Sequence, residues 1–127
     1  MSIHSTLRMV PALFLMGTIF FLSNIPGDQL NLPYFPGMDK IAHGGIYGLL
    51  ASAVLFALQP RWRRNFPFKA ICLTVFFCIF YGITDEFHQS FIPGRSPDIF
   101  DVFADSIGAF LCSLFWWRFI WRDIKNR

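Results

Sequence analysis

Four long apolar stretches run along the chain, separated by short polar connections. They cover residues 7–23, 41–58, 68–84 and 99–120. Each has about 17–22 residues, close to the roughly 20 that an α-helix needs to cross a bilayer. They mostly lack the polar face that recurs at every turn in the surface helices of soluble proteins. The pattern predicts one domain over 1–127, an all-α membrane bundle of four transmembrane helices at about 7–23, 41–58, 68–91 and 97–120.

Composition excludes an ordinary soluble domain. Of 127 residues, 54% are hydrophobic, 15% are charged and seventeen are Phe, whereas an average soluble domain is about 25% charged. A soluble chain of this length has a large surface to cover with polar groups, and this chain has too few of them. The same hydrophobic content argues against disorder. The composition therefore predicts that part of the protein surface is in contact with lipid.

The connections contain the residues that interrupt helices. Residues 24–38 include three prolines and two glycines, so they form no single regular element. Residues 59–67 are short and basic. Before the last apolar stretch, Ser96 and Pro97 predict an N-cap followed by proline at the first helical position. Arg8 near the start of the first stretch is followed by an apolar run, as in a signal peptide. Residues 21–24 offer no small-residue cleavage site, so we expect no cleavage.

The few charges are sorted by side of the membrane. If the N-terminus, residues 59–67 and the C-terminus share one side, that side has nine Lys and Arg and one acid, and the other has two and seven. Because Lys and Arg concentrate in cytoplasmic loops, both termini are predicted to be cytoplasmic. All four Trp fall near the cytoplasmic ends, as interfacial aromatics do. The net charge of +3 is then explained without a nucleic-acid partner.

The second helix begins with a polar stripe. Asp39, His43 and Tyr47 follow one another at intervals of four residues, so each lies only about 40° around the helix from the last. Lys40 is adjacent to this stripe. On the next turns Gly44 and Gly48 predict that another helix approaches closely.

Two further groups of acids lie at the same predicted side of the membrane. At the end of the third helix, Asp85 and Gln89 share a face, and Glu86 adjoins them. Two neighbouring acids are unfavourable at a helix C-terminus unless a cation or a donor compensates them.

The fourth helix has acids on one face of its first turns. Asp98, Asp101 and Asp105 form this group, and Arg95 precedes them in a Pro-Gly-Arg sequence. Asp105 lies roughly 10 Å along the helix from Asp98. Acids inside membrane helices usually face the bundle interior and mark function.

These three blocks together resemble the VanZ-like family of small bacterial membrane proteins. The resemblance rests on D-K-x-x-H-x-x-x-Y at 39–47, D-E-x-x-Q-x-F-x-P-G-R at 85–95 and D-x-x-x-D-x-x-G at 101–108. Position 105 is often Asn in that family, so Asp105 adds a charge here. The resemblance implies a multi-pass protein of the bacterial cytoplasmic membrane with an envelope role, and glycopeptide (teicoplanin) resistance is the role from which the family takes its name.

We predict that the polar residues form one outward-facing site that processes or binds a lipid-linked or cell-wall component. The predicted catalytic residues are Asp39, His43, Asp85, Glu86 and Asp105. The predicted substrate-binding residues are Lys40, Tyr47, Gln89, Arg95 and Asp101. Carboxylates with a His suit a divalent cation such as Mg²⁺ or Mn²⁺, and its predicted ligands are Asp39, His43, Asp85, Asp101 and Asp105.

Other functions fit the same residues. A non-catalytic binding or protective module would recognise a membrane lipid, a lipid-linked envelope precursor or a glycopeptide. A small proton-linked transporter or flippase would use the buried acids and His as a relay, and four helices would then call for an oligomer. In a structural role, the polar residues would only join helices, at an average of about 0.6 kcal/mol for each hydrogen bond.

Overall fold

The fold consists of helices throughout the part of the chain that can be described. The computed structural model describes the backbone of residues 3–29 and 36–125, and the side chains of 6–29 and 36–119. Two predictions concern parts that are not described. One involves Pro33, and the other involves the side chains of Trp121 and of the basic residues that follow it. The elements are α1 (Ile3–Ser23), a 3₁₀ turn (Gly27–Gln29), α2 (Met38–Ala57), α3 (Pro60–Asn65), α4 (Pro67–Gln89) and α5 (Ile99–Lys125).

Four of these helices are long and apolar enough to cross a membrane, namely α1, α2, α4 and α5. Their outward faces are covered with large hydrophobic side chains. Phe14, Phe68 and Phe76, for example, are each at least 70% exposed. Contiguous apolar surface of this kind is not found on soluble monomers. The structure thus confirms the predicted all-α bundle of four membrane-spanning helices.

The boundaries differ from the predicted ones at several ends. α4 ends at Gln89 instead of 91, and the basic connection contains the short helix α3. α5 begins at Ile99, and its N-cap is Asp98 instead of the predicted Ser96. The Asp98 carboxylate accepts the backbone N–H of Phe100 at 2.9 Å, while the N–H of Asp98 itself donates to Glu86 Oε2 of α4 at 2.9 Å.

α2 is the central helix of the bundle and packs most extensively against α5. Glycines make this contact close, as the sequence predicted. A Cβ on Gly108 would overlap the backbone carbonyl of Gly44. A Cβ on Gly48 would lie 2.7 Å from Cys112 Sγ and 3.3 Å from the Gly108 carbonyl oxygen. The two helix backbones therefore touch along this stretch, and this fixes the position of α5 relative to α2.

The connections at the two ends of the bundle are held by specific contacts. At the end that carries the acids, hereafter the acidic end, Gly27 donates its N–H to the Pro93 carbonyl at 3.1 Å. A Cβ on Gly27 would overlap the carbonyl of Gly94, whose φ of 73° suits glycine. At the opposite end Arg63 donates to the Leu55 carbonyl at 2.6 Å, which satisfies one of the last carbonyls of α2.

Candidate functional site

Asp105 and His43 form a buried pair between α5 and α2. Asp105 is fully buried, and its Oδ1 lies 3.0 Å from Nδ1 of His43. Gly82 on α4 makes room for the carboxylate, since a Cβ there would lie 2.8 Å from Asp105 Oδ2. That Oδ2 atom has no hydrogen-bond partner among the described residues. An ionised carboxylate only accepts, so with Asp105 ionised the Nδ1 of His43 is the donor, and in neutral His43 Nε2 then keeps its lone pair.

Lys40 is surrounded by three carboxylates. Its Nζ lies 2.9 Å from Asp39, 2.7 Å from Asp98 and 2.6 Å from Asp101. The three N–H groups of the ammonium are thus all directed at acids. The hydrogen bond from Lys40 also lowers the pKa of Asp98 below its ordinary value. Lys40 joins the start of α2 to the start of α5.

Glu86 lies on the α4 side of this group. It is only 6% exposed, and its Oε2 accepts the backbone N–H of Asp98 at 2.9 Å. Its Oε1 is buried and has no hydrogen-bond partner in the described part of the chain. His43, Glu86 and Asp101 each place one potential ligand atom so that all three atoms lie within 4.8 Å of one another. This trio contains atoms from α2, α4 and α5.

Asp85 belongs to a second network, which joins α4 to α1. Its Oδ1 accepts the Ser23 hydroxyl at 2.5 Å, and its Oδ2 accepts the Gln89 amide at 3.0 Å. All three residues are buried. The hydroxyl of Ser23 was not among the predicted site residues. Its position as the last residue of the first apolar stretch carries no spacing signal that could have singled it out.

An open cavity of about 190 Å³ lies between α1, α2 and α4 at the acidic end. Its lining combines aliphatic and polar side chains. The aliphatic residues are Ile19, Leu22, Ala42 and Ile46, and the polar residues are Ser23, Asp39, His43, Tyr47, Asp85, Gln89 and Arg95. A wider cleft of about 700 Å³ lies between α4 and α5 and is mostly apolar, with Glu86 and Asp98 in its lining.

Arg95 ties the cavity rim to the end of α1. Its guanidinium donates to the carbonyls of Ile25 at 3.2 Å and Leu22 at 3.0 Å. A cation is favourable at this position, because the carbonyls at a helix C-terminus carry the negative end of the helix dipole.

The predicted site residues thus fall into two adjoining groups at one end of the bundle. The cavity brings together Asp39, His43, Tyr47, Asp85, Gln89 and Arg95. Lys40, Glu86, Asp101 and Asp105 lie on the other side of His43, towards α5. Of the five predicted metal ligands, only His43 and Asp101 belong to the trio, and Glu86 completes it. Asp85 is committed to Ser23 and Gln89, and the exposed Asp39 carboxylate to Lys40.

Comparison with known proteins gives one family and one distant relative. A sequence profile of the protein family described as VanZ/LLP1 matches residues 7–122. An uncharacterized protein of Schizosaccharomyces pombe is 32% identical over 114 residues. That alignment covers 88% of this chain, and the chain spans 64% of the relative's length. No solved structure matches the chain.

Proposed function

This chain belongs to the VanZ/LLP1 family, and we propose that it is a cell-envelope membrane protein that holds a lipid-linked component at its acidic end. In this proposal the polar head of the ligand bonds the polar lining of the cavity and its apolar chain packs on the aliphatic side chains. The acidic end faces outward from the cytoplasmic membrane, with both termini inside, because the opposite end carries most of the Lys and Arg.

The mixed lining of the cavity is the single feature on which this proposal rests. Ile19, Leu22 and Ile46 contribute apolar surface, and Ser23, Gln89 and Arg95 contribute hydrogen-bonding groups to the same cavity. A site of this kind suits an amphipathic molecule better than an ion or a wholly polar solute. Its place at the membrane boundary suits a ligand that is itself anchored in the bilayer.

The size of the cavity favours one of two routes to drug resistance. Pockets that enclose a drug-sized ligand have about 300–1,000 Å³, and this cavity has about 190 Å³. It takes a head group or a part of one, but not a whole glycopeptide. In this proposal any resistance to a glycopeptide follows from an altered envelope component and not from capture of the drug in the cavity. A relative in a yeast, a cell without peptidoglycan, also favours a lipid or a lipid-linked sugar over peptidoglycan itself.

Catalysis at the bound head group is a second candidate function. It is favoured by the His43–Asp105 pair, because the orientation that Asp105 imposes leaves Nε2 of His43 free to accept a proton or to bind a cation. The ring of His43 also forms part of the cavity wall. In this second candidate function His43 is the catalytic residue.

Binding can be tested with a variant that fills the cavity. The purified protein in lipid nanodiscs would be titrated with polyprenyl-phosphate-linked sugars, with phospholipids and with a glycopeptide, and bound ligand measured by native mass spectrometry. Ala42→Phe fills the cavity and is expected to weaken binding of the lipid-linked ligand about ten-fold. Leu49→Phe is the matched control, because Leu49 lies on the same helix and is 61% exposed. Equal binding by both variants, or no binding by the wild type, contradicts the proposal.

Turnover is tested on the same ligands. Product formation that is lost in His43→Gln but kept in His88→Gln would establish catalysis. His88 is a suitable control because it lies at the same end of the bundle and bonds Asn24 outside the cavity. Binding without turnover in the wild type would support the binding function and exclude catalysis on these ligands.

A further inference from the structure

Three helices converge on one small volume with a potential metal ligand each. His43 of α2, Glu86 of α4 and Asp101 of α5 place ligand atoms within 4.8 Å of one another. We propose that these three residues bind a divalent cation, for which Mn²⁺ is the best match. This inference goes beyond the proposed function and does not rest on it.

The buried oxygen of Glu86 needs a partner. Glu86 is 6% exposed, and its Oε2 accepts the Asp98 N–H, whereas Oε1 has no hydrogen-bond partner among the described residues. A buried carboxylate with an unsatisfied oxygen loses hydration without compensation, which costs several kcal/mol in general. A cation between α4 and the other two helices supplies the missing interaction.

The orientation of His43 is the one found in metal sites. Asp105 takes the Nδ1 hydrogen at 3.0 Å, and Nε2 then faces Asp101 Oδ2 at 3.9 Å. With His43 neutral, Nε2 and the Asp101 oxygen both accept, so a cation between them bonds to both. A carboxylate behind a histidine that binds a metal through its other nitrogen is a common arrangement, since it fixes the ring and raises the basicity of the ligand.

The charge balance also calls for a cation. Five carboxylates lie at this site, two of them in the trio itself and three beside it. Among the described side chains, Lys40 is the one Lys or Arg that contacts them. The carboxylates are those of Asp39, Glu86, Asp98, Asp101 and Asp105. Lys40 directs its N–H groups at three of them and leaves Glu86 and Asp105 without a positive partner other than His43. Five carboxylates and one ammonium leave four negative charges, and a divalent ion would offset half of them.

The spacing fits an ion without movement of the helices. Ligands on opposite sides of a hard divalent cation lie about 4.0–5.2 Å apart, twice an ion–oxygen distance of about 2.0–2.6 Å. The ligand atoms of the trio lie no more than 4.8 Å apart, so small side-chain rotations bring all three onto one ion. Carboxylates suit Mg²⁺, Ca²⁺ and Mn²⁺, and an imidazole nitrogen favours the transition metals. Mn²⁺ satisfies both preferences.

The test is a titration in the absence of any lipid ligand, so that its outcome is independent of the proposed function. Purified protein is treated with a chelator and then titrated with Mn²⁺, and the free ion is followed by electron paramagnetic resonance. We expect one saturable site in the wild type. Glu86→Gln and Asp101→Asn are expected to weaken it at least about ten-fold. Asp28→Asn, which removes an exposed acid outside the trio, is expected to bind as the wild type does.

A variant with the opposite expected effect keeps the test valid even if the buried substitutions fail to fold. Lys40→Met removes the positive charge that competes with the ion for Asp101. It is expected to bind Mn²⁺ more tightly than the wild type and to gain more thermal stability from the ion. No saturable binding by the wild type, undiminished binding by Glu86→Gln, or an unchanged affinity in Lys40→Met would each overturn the proposal.

Discussion

Nδ1 of His43 lies 3.0 Å from Oδ1 of Asp105, although the two residues are 62 positions apart in the chain. His43 is on α2 and Asp105 on α5, and the Asp105 side chain is almost completely removed from solvent. The close contact of these two helices at Gly44 and Gly108 brings the pair together, since His43 adjoins Gly44 and Asp105 lies about one turn before Gly108. The same contact that holds the bundle therefore also sets the geometry of the site.

The energy of this pair distinguishes a hydrogen bond to an ionised carboxylate from a neutral one. Neutral interhelical hydrogen bonds in membranes average about 0.6 kcal/mol, whereas hydrogen bonds to charged groups contribute about 1.5–3 kcal/mol. We expect a double-mutant cycle with His43→Leu and Asp105→Asn to give a coupling energy above about 1 kcal/mol. Reversible unfolding in mixed micelles measures it. A cycle of His43→Leu with Ser113→Ala, about 12 Å further along α5, should be additive.

The glycine contact predicts opposite effects for two similar substitutions. Gly108→Ala places a Cβ against the backbone carbonyl of Gly44, and since a backbone cannot yield as a side chain does, we expect a loss of about 1–3 kcal/mol. Gly45→Ala is the control, because a Cβ there meets no atom within 4 Å. It should stabilise α2 by about 0.5–1 kcal/mol through helix propensity. Equal effects in thermal unfolding would contradict this packing.

Acid should weaken the contact of Lys40 with the start of α5. The pKa of Asp98 is lowered from its ordinary 3.8 by the hydrogen bond from Lys40. The stabilising contribution of a carboxyl with a lowered pKa is complete above its unfolded value and is lost as the pH falls through the folded one. The melting temperature should therefore fall below about pH 3.8 for this reason. Asp98→Asn should reduce this pH dependence, and the exposed Asp28→Asn should leave it unchanged.

The sorted charges predict an orientation that labelling can check. Single cysteines at Asp28 and Arg61 would be introduced into a chain without Cys72, Cys78 and Cys112. A membrane-impermeant maleimide should label Asp28→Cys in intact cells and Arg61→Cys only after permeabilisation, because basic loops stay in the cytoplasm. Labelling of both cysteines in intact cells, or the reverse pattern, would reject the orientation.

The four helices could be predicted because lipid allows little else. A stretch such as 41–58 is apolar over the full thickness of a bilayer, and there the backbone can satisfy its hydrogen bonds only within a helix. The first residue of α5 was harder to predict, because Ser96 and Asp98 are both residue types that cap the N-terminus of a helix. The contact that selects Asp98 comes from Glu86 in another helix, and no local pattern in the sequence reports it.

The polar residues of the site could be identified from the sequence. Their separation into two hydrogen-bonded groups could not. Asp85 and Glu86 are neighbours in sequence, yet one faces Ser23 of α1 and the other faces Asp98. Adjacent positions on a helix point about 100° apart, so each meets a different neighbouring helix. The order in which the helices pack decides those partners, and the periodicity of a single helix does not contain this information.

The contact between Gly27 and Gly94 joins two connections that are distant in the chain. One of them links α1 to α2 and the other links α4 to α5. Neither connection has space for a bulkier residue at this point, and neither can be lengthened or shortened there without displacing the other. The length of each loop is therefore constrained by the other, and we expect an insertion beside either glycine to displace both connections.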